Sequence, residues 1–291
     1  MVRRHGSGLT ASQWAARYLL GGAVYGYLAI TAAMALLPFY WMVVLATLAK
    51  DQIFAFPPHW LPGTELVANI RELATGLPFA RAYTNSVMVA GSHTLLLLFF
   101  CSLAGYAFAK RVFPGRDILC ASAIGTAFVP AWAGLVPLYL ILRRLGLIDS
   151  LMGLIVPWMV SAIGIFWMRQ AVRQSVPDEL LDAARIDGCG EYGMYFRIVL
   201  PVVRPALGAL AIMAFMGSWN DFVGPLLIIS SPDNWTLPLL LRVATATGST
   251  KPTPWGALMA GTLLSVVPMV VIYVSASRQF IAGITAGALK F

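Results

Sequence analysis

Charged side chains are scarce in this sequence. Of 291 residues, 20 are Lys or Arg and 12 are Asp or Glu, so 11% are charged while 59% are hydrophobic. A water-soluble domain commonly charges about a quarter of its positions. The shortage therefore excludes an ordinary soluble globule and argues that the outer surface faces lipid. The net charge of +8 then fits basic loops beside a membrane. No basic stretch is long enough to follow a phosphate backbone, so nucleic acid is not an expected partner. Cysteine and histidine are equally thin. Cys101, Cys120 and Cys189 show no CxxC spacing, which excludes a disulfide framework and a thiolate zinc site. His5, His59 and His93 lie far apart, so no metal centre is expected. Lysine occurs only at Lys50, Lys110, Lys251 and Lys290, and none of these precedes Ser or Thr. A phosphate-binding loop ending in Lys-Ser or Lys-Thr is thereby excluded.

What the chain does have is long apolar runs. Spanning about 30 Å of hydrocarbon takes about 20 apolar residues in a helix. Six intervals between charges qualify: Arg17 to Lys50, Arg81 to Lys110, Asp117 to Arg143, Asp149 to Arg169, Arg204 to Asp233 and Lys251 to Arg278. The fifth is interrupted only by Asp221. The first is too long for a cleaved signal and reads as an uncleaved span. The predicted fold is all-α: six transmembrane helices with both termini on one side. A cytoplasmic N-terminus puts thirteen basic residues on that side against seven on the other, with the short loop "AKRVFPGR" deciding. The expected organisation is a cytoplasmic segment over 1–17, a membrane domain over 18–280 and a cytoplasmic tail over 281–291.

One stretch breaks the apolar rule. From Asp178 to Arg204 the chain carries five acids and three arginines. Its local pattern is helix, turn, helix, within a loop over about 170–203. Pro177 suits a first turn, with Asp178 and Glu179 at the positive end of the helix dipole. Gly188 suits a left-handed stop, and Pro201 marks the passage into the next span. Leu180, Leu181 and Ala184 make one apolar stripe; Tyr192, Tyr195, Phe196 and Val199 make another. An amphipathic loop lying on lipid is one reading. Against it, the polar face is acidic as well as basic. A small-residue tip suits insertion into a cleft on a protein partner.

The segment resembles the EAA loop of bacterial ATP-binding-cassette importer permeases. The likeness rests on Asp182-Ala183-Ala184, Gly188, Ile198 and Leu200-Pro201 at fixed spacing, with Asp in place of the usual Glu at 182. "FPPHWLPGTELVANI", "YTNSVMVA", "LGLIDSLMGLIVP" and "GSWNDFVGPLLII" resemble further landmarks of the carbohydrate-importer permeases of the maltose-transporter type, shorter subunit. The final Phe291 departs from the glycine with which that family often ends. The resemblance implies that the elbow docks on a separate cytoplasmic ATPase dimer. Asp182, Ala183, Ala184, Asp187 and Gly188 would form the tip, and Ile198, Leu200 and Pro201 would brace it. It also implies a second homologous permease subunit, an extracytoplasmic solute-binding protein, and a bacterial inner-membrane location in contact with lipid. This chain would bind no cofactor; ATP and magnesium would sit on the partner ATPase. Gly283 and Gly287, in the tail, would contact that ATPase.

Asp221 stands out within a span, where a charge costs roughly 3 kcal/mol. It lies roughly 25 Å from the start of its run at a helical rise. Trp219, Asn220 and Asp221 are therefore candidate pathway residues, with Trp219 offering a flat face to a sugar ring; the other reading puts Asp221 at the water interface or pairs it with another helix. His93 is expected to pack, and Asn85 and Ser86 to cap their own helix. A six-span membrane enzyme would need clustered titratable groups, and a stand-alone carrier several intramembrane carboxylates. One acid and no repeat argue against both.

Overall fold

The computed structural model describes residues 11–246 and 253–288, and all regular structure within them is helical. Helices α1 (Ala11–Thr47), α2 (Leu66–Gly76) and α3 (Phe79–Lys110) are followed by α4 (Arg116–Gly125), α5 (Leu135–Arg144), α6 (Leu151–Ile155) and α7 (Ala162–Ser175). Then come α8 (Asp178–Ile186), α9 (Glu191–Met194), α10 (Leu200–Val202), α11 (Arg204–Trp219), α12 (Val223–Ile228), α13 (Leu237–Ala246) and α14 (Trp255–Ala288). Three stretches are long and apolar enough to cross a membrane: Leu20–Thr47, Phe79–Lys110 and Trp255–Ser275. Three bent pairs bring the number to six if each is one span. These are Arg116–Phe128 with Trp132–Arg144 at 96°, Leu151–Trp158 with Ala162–Ser175 at 47°, and Glu191–Val202 with Arg204–Trp219 at 79°. The bends have local causes. Pro130 interrupts the first pair, and Ser161 ends the second break by accepting from the Gly164 amide at 3.0 Å.

The fifth apolar run is not the continuous helix that charge spacing predicts. It stops at Trp219, and a separate short helix begins at Val223. Asn220 turns its carboxamide back to the Met216 carbonyl at 2.8 Å, while Asp221 accepts from the amides of Val223 and Gly224 at 3.1 and 3.2 Å. Asp221 is thus a cap in a break, which is why a charged residue is tolerated inside an apolar run.

The chain forms two compact units, Met1–Arg71 with Pro254–Leu263, and Glu72–Thr253 with Leu264–Phe291. In the first, α1 leaves its apolar side chains exposed between Leu20 and Tyr40 and buries only its last turns, at Val44, Ala46 and Thr47. A helix that is apolar all round without being buried requires lipid or a partner helix. Asn69 closes the end of α1, donating to the carbonyls of Ala46 and Leu48 at 2.9 and 3.0 Å.

The second unit is built on α3, against which α7 and α11 pack. Small residues permit the approach. A Cβ on Gly105 would stand 2.7 Å from the Met168 Cβ and 2.8 Å from the Arg169 amide; one on Gly164 would stand 2.7 Å from the Cys101 sulfur. One core cluster joins Leu97, Cys101, Tyr106, Met168 and Val172 with Leu181, Met194, Tyr195 and Val199, so the elbow and the spanning helices share a core. A second gathers Val89, Leu142, Leu154, Ile155, Ile228 and Leu239.

Asp149 ties the second cluster's loops together. It holds φ +56°, a left-handed conformation that Asp tolerates better than most residues. Its Oδ1 accepts from the amides of Ser230 and Ser231 at 3.0 and 2.9 Å and from the Ser231 hydroxyl at 3.0 Å. Its carbonyl accepts from Asn234 at 2.6 Å. The Ser231 and Ser230 amides hold the carboxyl below its ordinary pKa. A depressed folded-state value means that this stability is present above the unfolded carboxylate range and fades as pH falls through the folded value. Asp149→Ala is expected to cost about 1 kcal/mol at pH 7, a modest figure because the site is half-exposed. Thermal unfolding of the purified chain should show the deficit at pH 7 and a smaller one at pH 3.

Candidate functional site

The elbow forms as its local signals dictate. Helix α8 starts after Pro177, with Asp178 and Glu179 in its first turn. It ends where Gly188 takes φ +77°. There the Cys189 amide donates to the Ala184 carbonyl at 2.9 Å and the Gly188 amide to that of Arg185 at 3.0 Å, which closes the helix in a Schellman turn. The second arm starts at Glu191 and runs through a π-helical stretch, Tyr195–Val199, into α10. Pro201 supplies the reason. Its ring removes the donor that an α-helix would aim at the carbonyl of Arg197, and the preceding turn widens, with the Leu200 amide on the Tyr195 carbonyl.

Two ion pairs clamp the elbow to the end of α3. Lys110 Nζ meets Asp178 Oδ1 of the first arm at 2.8 Å, and Arg111 pairs with Glu191 of the second. The Lys110 side chain is largely buried while Asp178 is exposed. Hydrogen bonding to Lys110 pushes the Asp178 carboxyl below its ordinary pKa. Beneath the clamp, the Tyr195 hydroxyl shares a hydrogen bond with Ser102 of α3 at 2.7 Å. Sequence reasoning gave Lys110 and Arg111 no part in holding the elbow. Their signal was the acid in the first turn of each arm.

The predicted tip residues divide. Asp182, Ala183, Asp187 and Gly188 are exposed, and Asp182 pairs with Arg185 at 2.6 Å along the same helix. Ala184 is not at the surface: it is buried beside Leu181 in the shared core. Leu180, at the edge of that stripe, is exposed. In the second arm Tyr195 and Val199 are buried as expected, whereas Tyr192 and Phe196 face outward and Met194 takes an inward place. Ile198 and Leu200 are partly buried against the core, while Pro201 is exposed. Ile186, which sequence reasoning passed over, is 87% exposed at the tip.

The pathway candidates also divide. Trp219, expected to offer a free ring face, is packed instead. It is 3% exposed, stacks on Phe215 with centroids 5.6 Å apart, meets Tyr83 edge-on and donates its indole N–H to the Ser265 carbonyl at 3.1 Å. Asn220 is exposed and occupied with its own helix end. Asp221 borders a cavity of about 360 Å³ whose polar lining is Ser86, His93, Ser218, Asp221 and Thr236. Trp158 and Asp221 also border a smaller cavity of about 140 Å³. Asn85 and Ser86 do not cap their own helix. Asn85 donates to the carbonyls of Asp233 and Trp235, and Ser86 accepts from the Leu237 amide at 2.8 Å, capping the start of α13. Gly283 and Gly287 lie on α14, which continues unbroken to Ala288; Lys290 and Phe291 lie outside the described residues. No group of three or more metal-ligating side chains occurs among the described residues.

Comparison with known proteins matches this architecture. Residues 8–283 match the family described as the binding-protein-dependent transport system inner membrane component. The chain is 37% identical over 212 residues to the arabinooligosaccharides transport system permease protein AraQ of Halalkalibacterium halodurans, covering 72% of this chain and 73% of that one. It is 32% identical over 266 residues to the lactose transport system permease protein LacG of Rhizobium radiobacter, covering 91% and 95%. To the sn-glycerol-3-phosphate transport system permease protein UgpE of Shigella flexneri it is 34% identical over 258 residues, covering 87% and 91%. Its fold superposes on a chain of a bacterial ABC transporter involved in the import of the acidic polysaccharide alginate, with a TM-score of 0.82 at 19% identity, covering 91% of this chain and 98% of that one. The chain belongs to the family of binding-protein-dependent transport system inner membrane components, and is a permease subunit of an ATP-binding-cassette importer.

Proposed function

We propose that this chain forms half of a transmembrane pathway for a carbohydrate or related solute, and that its elbow converts the closing of a separate cytoplasmic ATPase dimer into movement of the spanning helices. The observation that carries this reading is the double clamp. Lys110–Asp178 and Arg111–Glu191 fix both arms to the end of α3, and the elbow's inner face shares one core with α3 and α7. A displacement of the tip cannot be absorbed by a hinge, because packed cores pass displacement on rather than deform smoothly. The exposed surface of Ala183, Ile186, Asp187 and Gly188 is the part that enters the partner's groove, and Ala184 supports it from inside. The carbohydrate class is supported by the arabinooligosaccharide and lactose permeases among the relatives.

The N-terminus and the elbow lie in the cytoplasm, where the short basic loop between α3 and α4 also sits. A second permease subunit covers the apolar surface that α1 exposes, together with lipid, and an extracytoplasmic binding protein delivers the solute. Mg-ATP is held by the ATPase. Alternating access follows: closure of the ATPase pair drives the elbow, the spans open outward, and hydrolysis returns them.

Purification of the tagged chain from its native membrane tests the assignment. The expected result is a stable complex that hydrolyses ATP, with a P-loop subunit in it. A chain that transports solute with no ATPase attached would overturn the reading in favour of a secondary carrier.

A further inference from the structure

Two helix breaks face the same cavity. One precedes α7, where Trp158 lies; the other follows α11, where Asp221 lies. Irregular backbone at membrane depth is tolerated where it lines a cavity, and that is where transporters place their solutes. At about 360 Å³, the space falls within the usual range for small-molecule sites, about 300–1,000 Å³.

The residues that line this cavity carry polar groups that the fold leaves unused. His93 Nε2 lies 3.0 Å from the Trp158 carbonyl, which can only accept, so Nε2 carries the proton. Nδ1 of the neutral ring is then an acceptor, and it has no partner although His93 is only 8% exposed. The Thr236 hydroxyl, on a residue 4% exposed, is also without a partner. Asp221 uses Oδ1 on two amides of α12, while Oδ2 takes no hydrogen bond from the described residues. Unpaired buried polar groups are uncommon in folded chains, and two of them belong to His93 and Thr236, which line this space beside the partly buried Asp221.

We infer that this cavity is a solute subsite carried by this chain, built for a neutral polyhydroxyl compound whose O–H groups donate to His93 Nδ1 and Asp221 Oδ2 and bond Thr236. The inference rests on the carbohydrate-import reading and narrows it. Two acceptors and a hydroxyl call for a ligand rich in donors, which a sugar or polyol supplies. A phosphate or uronate brings acceptors of its own, and its charge would face the Asp221 carboxylate across low-dielectric walls. No Lys or Arg lines the cavity among the described residues to offset that repulsion. Trp158 adds an aromatic wall, taking the part that the packed Trp219 cannot play.

The test uses the full chain in lipid nanodiscs, with whatever subunits accompany it. Lactose, arabinotriose, sn-glycerol 3-phosphate and putrescine are titrated while tryptophan fluorescence is followed. A Trp158→Phe variant identifies the signal that arises in the cavity. Lactose or arabinotriose should saturate a Trp158-dependent change. Thr236→Val and Asp221→Asn should each weaken it about tenfold, the loss that goes with one hydrogen bond to a ligand. Gly224→Ala should weaken it too, because the added Cβ would stand 2.5 Å from Asp221 Oδ2. Tighter saturation by sn-glycerol 3-phosphate or putrescine would overturn the inference. So would absence of a Trp158-dependent sugar signal, or a sugar signal indifferent to Thr236→Val and Asp221→Asn. A complex that keeps its ATPase but shows none of these effects removes only the subsite. Loss of the ATPase partner is the separate result that removes the importer reading.

Discussion

Gly188→Trp is expected to abolish solute uptake while leaving the chain inserted, folded and assembled with the rest of its membrane complex. Gly188 sits at φ +77° and no atom lies within 4 Å of where its Cβ would be. The added Cβ therefore meets nothing among the described residues. The folding cost is the left-handed conformation alone, about 1–2 kcal/mol, at the end of a short exposed helix. The functional cost is larger. The indole would project from the tip, beside Ile186, into whatever groove receives the elbow. Spoiling a docking hot spot costs about 2–4 kcal/mol, so uptake should fall by at least about thirtyfold at equal expression. Gly188→Ala separates the two terms: it carries the same backbone strain without the bulk, and should retain most of the uptake. Radiolabelled solute uptake, normalised to immunoblotted protein in the membrane, reads both. Equal uptake by wild type and Gly188→Trp would remove the coupling role from the tip.

The second large effect falls on folding. Gly105→Val should prevent α3 and α7 from closing. The nearest atoms to a Cβ at Gly105 are the Met168 Cβ at 2.7 Å and the backbone of Met168 and Arg169 at 2.8 Å. Backbone cannot move aside as the end of a flexible side chain can, so the two helices must separate along their whole contact. Overpacking of a well-filled core costs about 1–3 kcal/mol, occasionally more. Against a total stability of about 5–15 kcal/mol, the upper end of that range depletes the folded chain. Gly91, on the same helix, has nothing within 4 Å of its Cβ. Gly91→Ala should be neutral or stabilise by up to about 1 kcal/mol. Thermal melting of the two variants in detergent, with membrane yield, makes the comparison. Similar melting of Gly105→Val and Gly91→Ala would show that the helices do not approach as closely as described.

The elbow was legible because its signals are local. Pro177 with Asp178 and Glu179, then Gly188, fix a helix start and stop within a dozen residues, and those positions set the observed backbone. The clamp was not legible, since Lys110 and Asp178 are 68 residues apart and nothing in either segment names the other. The facing of Ala184 was hidden for a related reason. An alanine fits either side of an amphipathic helix, and only the core it shares with Leu181, Met194 and Tyr195 turns it inward.

Apolar runs were read correctly as membrane-crossing material, but their breaks were not. Charge spacing is blind to Ser161, which starts a helix, and to Asn220, which ends one, because neither adds charge, and it treats Asp221 as an interruption of a helix rather than the start of the next. Trp219 was misjudged because an aromatic in a transport protein looks the same in sequence whether its face is free or stacked on Phe215. His93 was read as a packing residue, and its Nε2 does pack against the Trp158 carbonyl. Its unpartnered Nδ1 appears only once the cavity exists.

Membrane sidedness at the elbow tests the central claim most directly. Ile186 is 87% exposed, so Ile186→Cys in a Cys189→Ser background presents a single accessible thiol, Cys101 and Cys120 being buried. A membrane-impermeant maleimide should label it in inside-out vesicles and not in intact cells, and labelling should fall when the ATPase subunit is bound. Labelling in intact cells, or labelling indifferent to the ATPase, would contradict the account.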